Sequence, residues 1–310
     1  MGYGISIMTI TIRPWRDKTD LPLIVDLLRG VSPASRHLID IPWRLSSPAL
    51  QDERNTRVWI DTDGKMLGFA AWQIYWAALD YFVLPGRHQQ TIETGIFSWA
   101  MERFRELDAE RGRPLPYWVE YRDDDIERQR VMEAHGFLLD DDYQYVHMSN
   151  PLTEPLPEPT LPDGFTIRPF AGEQEVSGYV ELHRAAFEST SMTCDWRLRT
   201  LHMPQYQPEL DIVAVAPDGS LAGFCVGWLN AERYTGQVEP LGVHPRFHHM
   251  GIGRALLLES LRRFKAHGAN SVLVETESDR NIARNAYEAV GFQPIHTIFR
   301  KGKWVTEPDL

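Results

Sequence analysis

Apolar and polar residues follow the same order of patterns in two halves of the chain. In the first half, alternation predicts a strand at residues 9–12, and apolar residues at helical spacing predict a helix at 21–28. A hairpin is predicted around Asp63-Gly64. The remaining elements are strands at 79–84 and 116–120, helices at 91–110 and 126–135, and a strand after Gly136. This order predicts a mixed α/β fold, with an antiparallel hairpin first and a strand–helix–strand crossover later.

The second half repeats this order of elements. Its predicted helices lie at 175–187, 252–267 and 281–290, its strands at 238–243 and 271–276, and its hairpin around Asp218-Gly219. Separate matches at one offset of 155 residues indicate a duplicated domain. The matched pairs are Ile12-Arg13-Pro14 with Ile167-Arg168-Pro169, Asp63-Gly64 with Asp218-Gly219, Gly68-Phe69 with Gly223-Phe224, Val119-Glu120 with Val274-Glu275, and Gly136-Phe137 with Gly291-Phe292.

A proline-rich segment separates the two halves. It contains prolines at positions 151, 155, 157, 159 and 162. Such a segment has few backbone donors and favours extended conformations, so it is typical of a semi-rigid linker. We therefore predict an N-terminal domain at 1–150, a linker at 151–164 and a C-terminal domain at 165–310.

Composition limits the classes of function. The chain of 310 residues carries a formal net charge of −11, which argues against non-specific binding to nucleic acid or to an anionic membrane. We find no secretion signal and no apolar run long enough to span a membrane. Cys194 and Cys225 stand in unlike contexts without metal-ligand spacing. We expect a cytoplasmic protein without a metal cofactor. The sequence does not determine the oligomeric state.

The most informative stretch lies at residues 237–267. Gly251 and Gly253 stand where the chain turns into a predicted helix, whose first N–H groups have no internal partner. With the positive end of the helix dipole, they predict a binding site for phosphate or pyrophosphate. Two alternatives are a tight turn without a ligand and a dinucleotide-binding fold. The second alternative lacks its third glycine, because Leu256 occupies that position.

Two sequences in the second half resemble the GNAT superfamily of acyl-CoA-dependent N-acyltransferases. They are GVHPRFHHMGIGRALL at 242–257 and VLVETESDRNIARNAYEAVGF at 272–292. The resemblance implies two tandem domains, each a mixed, mostly antiparallel sheet flanked by helices, with two strands that splay apart to hold acetyl-CoA as co-substrate. Pro240 fits a bulged or splayed strand at that place. The residues implied in cofactor binding are Leu241, Gly242, Val243, His248, His249, Met250, Gly251, Ile252, Gly253, Arg254, Asn281 and Tyr287.

The resemblance also implies catalytic roles. Tyr287 corresponds to a tyrosine that protonates the departing thiolate, and Glu239 to a position where some members carry a general base. His248 replaces the usual Gln or Arg of the loop. Asn281 resembles the asparagine that opens the last helix, although the family's spacing to the tyrosine points to Arg280.

The first half departs further from the family. Alignment of the two halves places Thr91 and Glu93 against the two glycines, where side chains would obstruct a pyrophosphate. Met132 stands in the position of Tyr287. We therefore expect a degenerate N-terminal domain that no longer catalyses.

The predicted function is acetyl transfer from acetyl-CoA to a primary amine of a small molecule by direct attack, in the C-terminal domain. The family's acceptor-selecting region corresponds to about residues 187–210 here, a region that includes Trp196, Arg197, Arg199 and His202. The alternative is a non-catalytic acyl-CoA-binding or protein-interaction module.

Overall fold

The computed structural model describes residues 9–31, 39, 41–142, 144–279 and 281–305, with the side chains of Asp17, Lys18 and Asn281 outside the description. The strands are β1 Thr11–Arg13, β2 Thr56–Ile60, β3 Met66–Gln73, β4 Ala78–Val83, β5 Tyr117–Arg122, β6 Leu139–Asp140, β7 Tyr145–Asn150, β8 Thr166–Pro169, β9 Asp211–Val215, β10 Leu221–Asn230, β11 Thr235–Val243, β12 Ser271–Glu277 and β13 Gln293–Lys303. The helices are α1 Asp17–Gly30, α2 Ile41–Leu45, α3 Gln89–Arg111, α4 Ile126–Ala134, α5 Val176–Phe187, α6 Cys194–Leu201, α7 Ile252–Ala266 and α8 Asn281–Glu288.

The predicted mixed α/β fold is confirmed, and the contacts of the chain divide it into two compact units. Unit 1 takes its described residues from 1–38, 48–142 and 299–310, and unit 2 from 39–47 and 143–298. Two short helices, α2 and α6, were not predicted; the five residues of α2 are too few to show a helical period. Within the described part of the chain, no helix has both the length and the apolarity to cross a membrane.

Unit 1 contains a sheet in the order β1-β2-β3-β4-β5, followed by the end of β13 and then β6. The pairs from β1 to β4 are antiparallel, whereas β4 and β5 are parallel. Trp72 is fully buried, with its ring 4.5 Å from Phe104 and 4.9 Å from Tyr117 in edge-on contacts. These contacts fix α3 against the sheet, since Phe104 lies on that helix.

Unit 2 contains a sheet in the order β13-β7-β12-β11-β10-β9-β8, in which only residues 293–298 of β13 take part. Helix α7 covers one face of this sheet with a buried apolar stripe that includes Leu256, Leu261 and Phe264. The helix packs so closely that a Cβ on Gly236 of β11 would lie 2.5 Å from the Phe264 ring. The glycine at this position therefore allows α7 to approach the strand.

The two compact units do not coincide with the two sequence repeats. Strand β7 precedes the proline-rich segment, yet it pairs with β12 and β13 in unit 2. Conversely, Lys301 and Gly302 at the end of β13 pair with β6 in unit 1. The duplicated sequence with a boundary at 151–164 remains our proposal for the domains, and each repeat supplies a strand to the unit built mainly from the other.

Unit 2 also contains a short segment from the first half of the sequence. Trp43 of α2 stacks on Trp196 of α6, with the ring centroids 5.1 Å apart. Ser46 accepts a hydrogen bond from Trp196 Nε1 at 3.1 Å, and its carbonyl accepts one from Arg199 Nε at 3.1 Å. Trp196 and Arg199, which belong to the predicted acceptor-selecting region, thus anchor residues 41–47 on α6.

Candidate active site

A cleft opens between β11 and β12. The two strands pair in parallel only from Thr235 to Gln237, opposite Ser271 to Leu273. Beyond that point β12 continues to pair with β7, and β11 continues to pair with β10. Residues 238–243 of β11 therefore have a backbone edge that β12 does not cover. We call this gap the β11–β12 cleft. The two strands that flank it are the splayed pair that the family resemblance implied.

A bulge in β11 accompanies the divergence. Cys225 of β10 lies opposite Leu241 and Gly227 lies opposite Val238, so β11 has one more residue than β10 between these pairs. The extra residue falls at Glu239-Pro240, as expected for a proline that has no N–H to donate. The bulge confirms the prediction made from Pro240.

The segment that joins β11 to α7, residues 244–251, forms what we call the glycine loop. It begins with a turn of 3-10 helix at Pro245–Phe247, in which His244 Nδ1 accepts the Arg246 N–H at 3.1 Å. Phe247 is buried with its ring edge-on to Phe165 at 5.5 Å. This anchor leaves the following residues exposed at the start of α7.

The end of the glycine loop has the conformation of an anion-binding site. His249 and Gly251 have φ angles of +63° and +79°, and Gly251 caps α7 without a side-chain hydrogen bond. A Cβ on Gly251 would meet no atom within 4 Å, so the space above the helix N-terminus is open. Exposed N–H groups at a helix start and the helix dipole favour a phosphate there. The loop therefore fits a pyrophosphate group.

The side chains of the glycine loop contribute less than its backbone. His248 is exposed, and its Nε2 lies 3.1 Å from the Val243 carbonyl oxygen, to which it donates in the matching tautomer. Only Nδ1 then remains for a ligand, so the phosphate contact predicted for His248 is restricted to that atom. Met250 and Arg254 are exposed at the loop and the first helical turn, whereas Ile252 is buried in the core.

Residues 241–243 close one side of the cleft. Leu241 and Val243 are partly buried and pack against the core of unit 2. A Cβ on Gly242 would lie 2.6 Å from the Phe224 ring and 3.0 Å from Ala186 Cβ. Gly242 is therefore required by the approach of α5 to the sheet, and these three residues can offer a cofactor only their backbone edge.

The two predicted catalytic residues lie on different faces of the sheet. Tyr287 of α8 is 8% exposed and belongs to the core under α7, with Phe292 edge-on at 5.7 Å. Glu239 is half-buried, and its carbonyl oxygen accepts the Trp228 Nε1–H at 2.7 Å. Val238, which precedes Glu239 in β11, belongs to the core under α7, so Glu239 projects from the opposite face of the sheet. The cleft between the strands separates the two groups.

One predicted cofactor contact cannot be described. The backbone of Asn281 begins α8, but its side chain lies outside the described part of the chain, as does Arg280.

The predicted acceptor-selecting region contains a buried ion pair. Arg197 and Asp211 are both fully buried and hydrogen-bonded to each other, and Tyr206 donates to the same carboxylate at 2.7 Å. The guanidinium also lies 3.8 Å from the centroid of the Tyr179 ring. Arg197 is therefore a buried residue of unit 2 and is not exposed to an acceptor. His202 is exposed and pairs with Glu173 at 2.8 Å.

Unit 1 lacks the glycine loop. Five residues (84–88) join β4 to α3, where eight (244–251) join β11 to α7. Thr91 and Glu93, which the alignment placed at the two glycine positions, instead lie within the first turns of α3. The Glu93 carboxylate is buried, which raises its pKa, and it accepts a hydrogen bond from Gln89 at 3.1 Å. Met132 is fully buried in the core of unit 1.

Comparisons with known proteins agree with this geometry. Residues 176–292 match the acetyltransferase (GNAT) family. Two similar proteins are mycothiol acetyltransferases: that of Thermobispora bispora is 30% identical over 167 residues, covering 51% of this chain and 57% of that protein. That of Kineococcus radiotolerans is 35% identical over 143 residues, covering 45% and 46%. The chain thus spans about half the length of the curated relatives it matches.

Solved structures show the same fold over nearly the whole chain. A GCN5-related N-acetyltransferase from Sphaerobacter thermophilus superposes with a TM-score of 0.64 at 21% identity, covering 97% of each chain. A tandem GNAT protein from the clavulanic acid biosynthesis pathway superposes with a TM-score of 0.63 at 17% identity, covering 97% of this chain and 100% of that one. At these identities the likeness establishes the tandem fold.

Proposed function

We propose that this protein transfers an acetyl group from acetyl-CoA to a primary amine of a small molecule, and that unit 2 carries the reaction. The match of residues 176–292 to the acetyltransferase (GNAT) family and the tandem GNAT fold support this proposal. The observation that carries the proposal is the β11–β12 cleft, whose free edge leads directly into the glycine loop. Unit 1 has no such loop between β4 and α3.

The residues of unit 2 fit the two polar parts of acetyl-CoA. The backbone edge of 238–243 suits the amide groups of an extended pantetheine arm, by the same pairing that joins two strands. The N–H groups at Gly251, Ile252 and Gly253 suit the pyrophosphate. Acetyl-CoA supplies the activated acyl group, and the protein orients it and manages the protons.

Two side chains serve the proton transfers in this proposal. A lysine-like amine has a pKa of about 10.4 and must lose a proton before it attacks a carbonyl carbon. Glu239, on the α5 side of the cleft, receives that proton directly or through water. Tyr287 donates its phenolic proton to the departing thiolate, and its burial beside Phe292 holds the ring in one orientation.

The class of acceptor follows from the relatives and the charge of the chain. The similar mycothiol acetyltransferases suggest a small amine, such as an amino-sugar derivative, as acceptor. The net charge of −11 favours the approach of a cationic amine over that of nucleic acid. We propose a cytoplasmic location, in accord with the two cysteines that form no disulfide.

The cofactor site is tested by calorimetric titration with acetyl-CoA. We expect one site per chain, and we expect Gly253→Glu to weaken it, because a carboxylate at the first helical turn repels the pyrophosphate. Each charge-assisted hydrogen bond that is lost costs about 1.5–3 kcal/mol. Gly253→Ala is the matched control, since its Cβ would lie 3.4 Å from Val243 Cγ2, an ordinary contact.

Other results of the titration would change the assignment. Two sites per chain would show that unit 1 also binds acetyl-CoA. Equal affinity in the Gly253→Glu variant would place the pyrophosphate elsewhere. Binding without acetyl transfer to any amine of a panel would favour a non-catalytic acyl-CoA-binding module.

The role of Tyr287 is tested by Tyr287→Phe in a turnover assay. We expect kcat to fall about 100-fold, at the low end of the ~10²–10⁴ that a positioned general acid contributes, with the KM for acetyl-CoA unchanged. Tyr234→Phe, at an exposed tyrosine of unit 2, is the control. Unchanged kcat in Tyr287→Phe would exclude Tyr287 as the proton donor.

A further inference from the structure

Unit 1 also contains a gap between two diverging parallel strands. Strands β4 and β5 pair at Ala78 and Trp118, and among the described residues they do not pair beyond that point. Residues 79–83 of β4 continue to pair with β3 on their other side. At the offset of 155 residues, Trp118 corresponds to Leu273, the last paired residue of β12. The gap in unit 1 therefore begins at the same place as the β11–β12 cleft, and we call it the β4–β5 cleft.

The backbone of each wall points into this cleft. The Trp118 N–H donates to the Ala77 carbonyl at 2.9 Å and thereby closes the vertex. Backbone groups two residues apart in a strand point in the same direction, so those of Glu120 on β5 and of Tyr81 on β4 also point into the gap. An extended ligand laid between the strands would pair with these groups.

The side chain of Arg128 occupies the cleft. Arg128 Nε donates to the Glu120 carbonyl at 2.8 Å, and Arg128 Nη1 donates to the Tyr81 carbonyl at 3.3 Å. One acceptor lies on each wall, so the guanidinium bridges the two strands across the gap. A guanidinium suits this position, because it is a planar fork of N–H donors that keeps its charge.

Two further contacts hold Arg128 in this position. The guanidinium carbon lies 3.9 Å from the centroid of the Tyr81 ring, which is buried and edge-on to Phe97 at 5.3 Å. The Arg128 N–H donates at 3.1 Å to the carboxylate of Asp125, the N-cap residue of α4. The side chain is therefore fixed both at its base and at its tip.

The corresponding position in unit 2 is an alanine. Ala283 of α8 stands 155 residues after Arg128, just as Tyr287 stands 155 residues after Met132. Ala283 is partly buried and packs against the core of unit 2. Its methyl group cannot donate to a strand carbonyl, so at this position the β11–β12 cleft leaves its acceptors to a ligand.

We propose that Arg128 is a built-in occupant of the β4–β5 cleft, and that this cleft is a latent binding site for an extended amide such as a pantetheine arm. The inference rests on the strand-like pairing that we propose for acetyl-CoA in unit 2. It assigns the closure of unit 1 to a donor that competes for the carbonyls of Tyr81 and Glu120, in addition to the shorter loop before α3.

The latent site should take the amide part of the cofactor without its pyrophosphate. Helix α3 follows β4 after five residues, 84–88, and Glu93 is buried within its first turns. No glycine loop stands there to hold a pyrophosphate, and the carboxylate would repel one. Pantetheine, which has the two amides but no phosphate, is therefore the appropriate probe.

The test is amide chemical-shift mapping of the full-length protein with pantetheine at millimolar concentration. In the wild type, the amides of residues 238–243 should shift on addition of pantetheine, whereas those of 79–83 should not. In Arg128→Ala both sets should shift, because both strand carbonyls are freed. Arg128→Met is the matched control: its unbranched side chain still fills the gap but donates no hydrogen bond, so residues 79–83 should again show no shift.

Thermal unfolding measures the bridge itself. Arg128→Ala and Arg128→Met should each lower the Tm of unit 1 by about 5 °C, because two carbonyl oxygens lose a charged donor. Millimolar ethylguanidinium contains the atoms that Arg128→Ala removes, so it should restore most of the loss in Arg128→Ala and none in Arg128→Met. Arg130→Ala, at a 73% exposed arginine of the same helix, should match the wild type in both measurements.

The outcomes separate this inference from the proposed function. Shifts of residues 79–83 in the wild type would show that Arg128 does not close the cleft, and their absence in Arg128→Ala would show that no latent site lies beneath it. Either result would overturn the inference and leave the assignment of unit 2 intact. Absence of shifts at 238–243 in every protein would instead count against the proposed cofactor site of unit 2.

Discussion

A fragment of residues 151–310 is expected not to fold, whereas a fragment of residues 144–310 is expected to fold. The two differ only by the segment that contains β7. In unit 2, β7 lies between β12 and β13, so its removal leaves both neighbours without a partner on that side. Neither fragment contains residues 39–47, so the comparison isolates the strand.

The size of the expected effect follows from what β7 buries. Met148 and Val146 belong to the core of unit 2, and each contributes about 1.5–3 kcal/mol by burial. Asn150 donates to the Val290 carbonyl at 2.8 Å and accepts the Leu152 N–H at 2.9 Å. The exposed ladder groups of β12 add a further cost of about 1 kcal/mol each. The total is comparable with the whole stability of a domain, about 5–15 kcal/mol.

The measurement is thermal unfolding of both fragments by circular dichroism. A cooperative transition in 144–310 and none in 151–310 is the expected result. Similar transitions in the two fragments would show that β7 does not belong to the cooperative unit formed by residues 165–298.

The exchange of strands explains where sequence reasoning stops. Alternation of apolar residues predicts that a segment is a strand, and the glycine and proline positions predict where it ends. Neither tells which other strand it pairs with, because the partner depends on contacts far apart in sequence. Met148 and Val274 lie opposite each other in neighbouring strands, yet they are separated by the proline-rich segment and most of the second repeat.

The site shows the same limit. The tandem GNAT fold was predictable from the two sequences that resemble the family. The bulge near Pro240 and the helix start at Gly251 and Ile252 were predictable because each depends on local backbone chemistry. The position at which β11 and β12 part was not predictable from the sequence. That position is known only when the register of β11 and β12 is known.

Substitution of Asp211 by alanine is expected to destabilise unit 2 by about 3–5 kcal/mol, the cost of leaving one member of a buried ion pair without its partner. Arg197 would keep only its contacts with the Phe170 and Tyr179 rings, at 4.5 and 3.8 Å from their centroids. Tyr206 would also lose the acceptor of its hydroxyl proton. The measurement is urea-dependent hydrogen exchange of the β9 amides, which report on this unit directly.

An exposed pair of the same chemistry supplies the control. Arg246 and Asp218 lie 2.8 Å apart with side chains 62% and 48% exposed, so Asp218→Ala should change stability far less than Asp211→Ala. The double variant Arg197→Met/Asp211→Leu should recover most of the loss, because neither apolar side chain leaves a charge without a partner. Equal effects of Asp211→Ala and Asp218→Ala would show that water reaches the Arg197–Asp211 pair. If so, the region between α5 and α6 would be open to an acceptor, and Arg197 would become a candidate for binding it.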